Sequence, residues 1–535
     1  MRRALVFAAL LCACREKTAQ PGPPAEQQAP AAPERVLEQE PNDFQRAQQI
    51  PARAVVAGTL QAPRDDDWYR VGAGSGKTLA LRVELKGVRD AWVETYDRDR
   101  NRLLRVHAGG DDPGVVPGMA CLEACFVKVS GAGLQEYELT VLGGEPRPGE
   151  ELEPNDRAVD ATELRPGSPV RGTFLTADDE DWYRLTLPDG SGEVLRIEVT
   201  PVAGVRPELE VRAIGDATLL ATFRGTEGLF VRNLSIHLGE AADAGAPDGG
   251  PVPAGYFLVL KGKSRHGAPL APYTLTATVE PGAQDLELEP NDDPEHATPL
   301  HETATGFLAP SGDQDWYRVH ADAPTVLHAE VSGADRADLE LAVYAGTEKP
   351  RLLARANEGG PRELEVLPAV GIPAGDSYLL VQAAARQLDG KWVRDGEDRQ
   401  TPYRLAVQLS PDDGSTEREP NDEVATAQPL SLPVAVKGWI WPRKDVDLFR
   451  FHVEAGHAPV NVMLPAVRGV DLQLRLYQLR GDRPPEVIGS SDSRHGDGEE
   501  KLIAVPLKEG DYAVEVSSPR HKDASASQAY TLTVQ

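Results

Sequence analysis

The sequence predicts an all-β chain organised as four tandem antiparallel β-sandwich domains. Three observations carry that expectation. A phrase occurs four times, as Glu38-Gln39-Glu40-Pro41-Asn42-Asp43, Glu151-Leu152-Glu153-Pro154-Asn155-Asp156, Glu287-Leu288-Glu289-Pro290-Asn291-Asp292 and Glu417-Arg418-Glu419-Pro420-Asn421-Asp422. Its Asn positions lie 113, 136 and 130 residues apart, longer than a solenoid repeat and close to a common domain size. Apolar residues alternate with period two in Leu79–Leu85, Leu195–Val199, Leu339–Val343 and Leu472–Leu476, the signal of a half-buried strand. Pro (45) and Gly (50) together make nearly a fifth of the 535 residues, a composition suited to many short strands joined by turns. The pattern yields seven or eight strands per unit and no amphipathic helix beyond one turn after each Asn-Asp.

In chain order, Arg2 and Arg3 precede an apolar run, Ala4–Leu11, that is too short to span a bilayer, so residues 1–13 read as an export signal. Leu11-Cys12-Ala13-Cys14 resembles a bacterial lipobox, which makes Cys14 the expected lipidated residue and the membrane an expected partner through that anchor. Arg15 follows in place of Asp, which favours the outer membrane, facing the periplasm or the cell surface. Residues 14–35 form the lipidated cysteine and a Pro-, Ala- and Gln-rich tether without apolar periodicity, hence disordered. The four domains are then expected at 36–144, 149–280, 285–410 and 415–535, joined by short hinges at Gly143–Gly149, Glu280–Ala283 and Pro411–Ser415. Each closes on a similar strand, beginning at Tyr137, Tyr273, Tyr403 and Tyr530. Cys121 and Cys125 sit beside a turn that runs into a strand, and in an exported chain a disulfide is the default reading.

The formal net charge is −28, and removal of Arg2 and Arg3 with the leader leaves 54 basic against 84 acidic side chains, 54 − 84 = −30. Such a chain repels phosphate backbones, so nucleic acid is not an expected partner and cations are. Each Glu-x-Glu-Pro-Asn-Asp is answered 22 to 24 residues after its Asn by an acidic pair, Asp65/Asp67, Asp179/Asp181, Asp313/Asp315 or Asp445/Asp447. The first three pairs are followed by Trp68, Trp182 and Trp316, the fourth by Leu448. Carboxylates about 5 Å apart repel by several kcal/mol at an effective dielectric near 20. Convergence of these side chains therefore calls for a cation. Six to eight oxygen donors with tolerant geometry suit calcium, and the lack of His or Cys nearby argues against zinc. The alternative is that Asn-Asp caps a turn and the acidic pair starts a strand, with no ion.

These two motif halves, with an Ala, a Leu or Ile and a Gly-x-[Leu/Phe/Ile] between them, resemble the bacterial pre-peptidase C-terminal domain, a family that includes collagen-binding modules of clostridial collagenases. The resemblance spans residues 36–535 as four units. It implies jelly-roll-like β-sandwiches and structural calcium held by Glu38, Glu40, Asn42, Asp43, Asp65 and Asp67. The equivalent sets are Glu151, Glu153, Asn155, Asp156, Asp179 and Asp181; Glu287, Glu289, Asn291, Asp292, Asp313 and Asp315; and Glu417, Glu419, Asn421, Asp422, Asp445 and Asp447. Family members usually trail a secreted protease, and this sequence contains no protease domain.

Other candidate chemistry is weak. Gly72–Thr78 lacks the first glycine of a P-loop, because that position is Val71, and a strand rather than a helix follows. No nucleophile–histidine or zinc-protease signature occurs, and His266 and His495 read as surface loop residues. In Trp439-Ile440-Trp441, Ile440 takes the core position, leaving Trp439 and Trp441 on the opposite face as a binding surface or packed under a loop such as Asp492–Glu500. The expected function is a non-enzymatic envelope lipoprotein, an array of calcium-stabilised modules for binding or spacing. The alternative is an accessory to a separate secreted protease or glycosidase. Either would engage a protein or polysaccharide polymer.

Overall fold

The computed structural model describes residues 31–535, apart from 62–64, 176–178, 188–192, 227, 237–254, 265–270, 482 and 494–497. The export signal, Cys14, most of the tether, His266 and His495 lie outside the described residues. Among the described residues the regular structure is β-strand, with one short 3₁₀ turn at Pro519–His521 and no α-helix. No helix is long and apolar enough to cross a membrane among those residues.

The strands fall into four successive pairs of sheets that share one order. In the first, one sheet runs Glu34–Leu37, Arg53–Leu60, Gln135–Gly144, Thr78–Lys86, Gly114–Leu122. The other runs Gln48–Ile50, Asp65–Gly72, Ala124–Gly131, Ala91–Tyr96, Arg102–Ala108. Long strands pair antiparallel, and the short leading strands join them parallel, Gln48 opposite Tyr69 and Glu34 opposite Ala54. The units hold nine to eleven strands, not seven or eight. The additional ones are edge strands of two to four residues, such as Gln48–Ile50 and Thr298–Pro299, too short to display alternation. The third unit also carries a small hairpin, Arg386–Leu388 with Lys391–Val393.

Each sheet pair encloses its own apolar core. In the first, Tyr69 and Val71 from one sheet meet Leu81, Val83 and Leu85 from the other, all fully buried. Strand parity thus places Tyr69 inward and Trp68 on the outer face, as the alternation implied. Trp68 is nonetheless buried there, with Phe44 edge-on at 5.0 Å and Tyr96 at 4.6 Å. Trp316 and Leu448 each seed a small second cluster on the same outer face of their units.

Of the expected connections, the hinges change and the disulfide holds. The predicted hinges begin inside sheet: Gly144 pairs with Ala80, Pro281 with Glu193 and Pro411 with Thr325, because each closing strand overruns its alternating core. Cys121 and Cys125 form a disulfide with Cα atoms 5.5 Å apart. It flanks the tight turn at Glu123 (φ 61°) and joins the last strand of one sheet to the central strand of the other.

Candidate metal centre

The Glu-x-Glu-Pro-Asn-Asp phrase is the segment that crosses from one sheet of a unit to the other. Just before it, Leu37, Glu150, Leu286 and Thr416 bridge in parallel to Ala57, Arg171, Thr305 and Lys437 of the first sheet. Just after it, the carbonyls of Asn42, Asn155, Asn291 and Asn421 accept from the amides of Trp68, Trp182, Trp316 and Leu448 of the second sheet, at 2.8 to 3.1 Å. The Glu–Pro bond between these anchors is cis in all four copies. The crossing carries its carboxylates over the end of the sandwich, beside the acidic pair that opens the second-sheet strand.

Each Glu of the phrase and each Asp of the acidic pair has a partner that recurs in all four units. The first Glu accepts from the amide of the residue after a strand glycine present in all four units: Thr59 to Glu38 at 2.6 Å, Phe307 to Glu287 and Trp439 to Glu417 at 2.7 Å, and Thr173 to Glu151. The second Glu accepts from the Asn two residues on, at 3.0 to 3.2 Å. The first Asp accepts from the amide four residues earlier, Gln61, Leu175, Ala309 or Trp441, at 2.5 to 2.7 Å. The second Asp accepts from the closing-strand tyrosine: Tyr137, Tyr403 and Tyr530 donate to Asp67, Asp315 and Asp447 at 2.7 Å, and Tyr273 donates to Asp181.

The first Glu spends its other oxygen on a tyrosine hydroxyl or an Asn amide, as in Tyr183 to Glu151 and Asn42 to Glu38, while oxygens of the other carboxylates stay unpartnered and the set converges. Glu38, Glu40 and Asp67 offer oxygens within 4.8 Å of one another, as do Glu151, Glu153 and Asp181; Glu289, Asp313 and Asp315; and Glu419, Asp445 and Asp447. Asp67 Oδ1, Glu153 Oε1, Asp181 Oδ1, Glu289 Oε1, Asp315 Oδ1, Glu419 Oε1 and Asp447 Oδ1 are buried without a hydrogen-bond partner. Both side-chain polar atoms of Asn155, Asn291 and Asn421 are buried and unpartnered as well. Buried polar atoms are normally satisfied. Here the unsatisfied carboxylate oxygens belong to the same groups of side chains that converge within 4.8 Å, a donor set a cation would satisfy.

Electrostatics agree. Burial, with neighbouring carboxylates adding to it, raises Asp67 to about 8 and Glu153 to about 9. Burial takes Glu151 and Glu419 to about 8, Glu287 to about 7 and Asp179 to about 6. Asp181, Glu289, Asp313, Asp315, Glu417, Asp445 and Asp447 are pushed well above the carboxylate range by burial first and by their acidic neighbours second. Two charges 4.8 Å apart repel by ~3.5 kcal/mol at an effective dielectric of 20. Such a cluster must hold protons or a cation. A donor set of carboxylate and amide oxygens, without His or Cys, fits a hard divalent ion such as calcium.

The fourth motif residue stands apart. Asp156, Asp292 and Asp422 are exposed and face the amides of Glu180, Gln314 and Val446, just past the first Asp of the pair. Asp43 accepts from the amides of Gln45 and Arg46 and pairs with the Arg46 guanidinium, a turn cap rather than part of the converging set. The tyrosines are the functional residues that sequence reasoning missed. Tyr137, Tyr273, Tyr403 and Tyr530 appear in sequence as strand starters, yet each orients the deepest aspartate. The second sheet adds Tyr69, Tyr183 and Tyr317, whose hydroxyls bond to Tyr137, Tyr273 and Tyr403, while Phe449 replaces this partner in the fourth unit. The strand glycine has a reason in the same place: a Cβ on Gly58, Gly172, Gly306 or Gly438 would overlap the tyrosine ring, and in the last three also the first Glu.

Trp439 and Trp441 are both partly buried. Ile440 is in the core as its position implied, and Lys437 lies over the Trp439 ring at 4.7 Å. The Trp441 indole donates to the Val366 carbonyl of the preceding unit at 2.6 Å, so its polar edge is engaged at a junction between units; residues 494–497 of the alternative loop lie outside the described residues.

No protein-family profile matches the chain, and no curated protein sequence does. Among solved structures it is similar to the pre-peptidase C-terminal domain of a collagenase from Bacillus anthracis, at 16% identity over 22% of this chain and 100% of that one, with a TM-score of 0.17. It is also similar to the paired CBM32-1 and CBM32-2 domains of Clostridium perfringens ZmpB, at 8% identity over 43% of this chain and 86% of that one, with a TM-score of 0.14. A complex of the same pair with GalNAc gives the same identity and TM-score, over 84% of that chain.

Proposed function

We propose that the chain is a non-enzymatic, lipid-anchored envelope protein in which four jelly-roll modules, each stabilised by calcium, form an array for binding or spacing. The observation that carries this reading is the fourfold repetition of one carboxylate cluster with buried, unpartnered oxygens at the end of each sandwich. Catalytic carboxylates need different environments to divide acid and base roles. Here the same donors recur in every unit, tied to backbone amides and to a tyrosine, which is how a structural ion is held. The ion's role is mechanical: it neutralises the cluster and fastens the crossing segment to both sheets. Repetition then gives a string of similar surfaces, which gains avidity on a repetitive protein or polysaccharide polymer when the spacing matches. Cys14 would fix one end of the string to the outer membrane.

Metal analysis of the purified soluble region tests the reading. After dialysis against micromolar calcium we expect bound calcium approaching four ions per chain, with one ion lost in each of Asp67→Asn, Asp181→Asn, Asp315→Asn and Asp447→Asn. A chain that retains no divalent ion refutes it.

A further inference from the structure

The four clusters have the same donors but different surroundings. In the second, third and fourth units the second Glu of the motif is also an extra rung on the preceding sandwich. The Glu153 amide donates to the Gly118 carbonyl at 3.0 Å, and its carbonyl accepts from Ala120 at 2.9 Å. Glu289 makes the same pair with Asn233 and Ser235 at 3.0 Å, and Glu419 with Ala369 and Gly371 at 3.0 and 2.8 Å. The strands that receive these rungs are Gly114–Leu122, Leu229–Ser235 and Glu365–Ile372, each at the edge of the sheet before. Side chains follow suit. Asn233 of the second unit donates to Glu287 of the third at 3.0 Å, and Trp441 of the fourth reaches Val366 of the third. Gly118 and Gly371 allow the close approach, since a Cβ there would stand 3.3 Å from the Glu151 carbonyl and 3.1 Å from the Arg418 side chain.

Among the described residues the first cluster has no such cover. Among the described residues no sandwich precedes it, and Glu40 makes no backbone rung there. Glu40 is exposed and Glu38 half-buried, whereas Glu151, Glu153, Glu287, Glu289 and Glu417 are buried and Glu419 is half-buried. The inner wall of the site is unchanged, with Asn42 and Asp67 both buried.

We infer that the chain carries two kinds of cation site: an open first site that exchanges its ion directly with solvent, and three sites sealed by the preceding sandwich. This rests on the cation reading above. Release from a sealed site requires the inter-unit rungs to part, a local opening with its own free energy, while the first site needs none. The first ion therefore follows the surrounding calcium concentration, and the inner three hold the string together through transient depletion.

Stopped-flow mixing of the calcium-loaded chain with an excess of a fluorescent calcium chelator separates the cases. We expect one quarter of the released calcium in a fast phase and the rest at least about tenfold more slowly. Glu40→Gln removes the fast quarter and leaves the slow amplitude intact. Trp441→Phe, which loses only the indole bond to Val366, accelerates one of the slow quarters. Release of all bound ions in one phase overturns the two-class inference and leaves the cation reading standing. A chain that binds no calcium overturns both.

Discussion

Removing the cation should reverse the pH dependence of stability. In each unit three carboxylates lie within 4.8 Å, so three pairwise repulsions of ~3.5 kcal/mol each reach about 10 kcal/mol if all are ionised at an effective dielectric of 20. A chelated cluster relieves this by taking up protons: burial first, and the acidic neighbours after it, raise Asp67, Glu151 and Glu419 to about 8 and Glu153 to about 9. Carboxylates that are protonated in the folded chain and ionised in the unfolded one favour the folded state more as pH falls. Between pH 8 and pH 5 each such proton makes the chelated protein more stable on acidification, by about 1.4 kcal/mol per pH unit. Bound calcium displaces those protons, so the loaded protein shows the opposite trend and weakens below about pH 5, where protons compete for the ligands. At free calcium a thousandfold above its dissociation constant, one site contributes ~4 kcal/mol. For a unit of about 120 residues that is a shift of roughly 15 °C in Tm at neutral pH. Differential scanning calorimetry at pH 7.5, with millimolar chelator and with millimolar calcium, measures the shift, and repeating the chelated scan at pH 6 measures the slope. Superimposable scans, or a chelated Tm that falls on acidification, refute the reasoning.

The other predictions concern single residues. Gly306→Ala forces a methyl onto Tyr403 and Glu287 and should destabilise the third unit by about 2–3 kcal/mol, read as an earlier transition for that unit in calorimetry. Replacing both Cys121 and Cys125 by Ser opens a loop closed over a sequence separation of only four, so loop entropy predicts a loss of about 2 kcal/mol confined to the first unit. Trp441→Phe should weaken the junction of the third and fourth units by about 1 kcal/mol, seen as faster proteolysis near residues 411–415, whereas Trp439→Phe should leave cleavage unchanged.

Much of this was legible because the chain repeats itself. Two acidic groups, 22 to 24 residues apart in all four copies, could be joined in thought before any coordinates, and alternation placed Tyr69 and Ile440 inward. What stayed hidden depends on contacts that strand parity does not encode. Tyr137 and its equivalents satisfy the pattern of a core-facing strand residue, so nothing local marks their hydroxyls as partners of an aspartate 70 to 92 residues earlier. The Asp after each Asn looks like a further ligand by composition, yet its carboxylate is used by amides at the rim, and only the position of the turn reveals that. Parity put Trp441 on the outer face correctly, but an outer face of one unit can be the inner face of a junction.

The fourth unit's edge strand differs from the three that receive a rung. Register assigns Val505 of the fourth unit to the place of Val370 in the third, since Val460 and Leu327 occupy the same rung. Ala504 then stands where Gly118, Asn233 and Ala369 accept the incoming Glu amide, and Pro506 stands where Ala120, Ser235 and Gly371 donate. A proline has no N–H, so one of the two rungs that fasten every internal junction cannot form on Glu500–Val505. The Ala504 amide is already turned inward to the Asn461 side chain at 2.8 Å. An exposed edge strand with Val487, Ile488 and Ile503 facing solvent nearby is an invitation to further pairing, and proline is a familiar way to blunt one. The segment that carries the carboxylate cluster of one unit also forms a rung on the unit before it, and Glu500–Val505 of the fourth unit differs from the three receiving strands at the donor position.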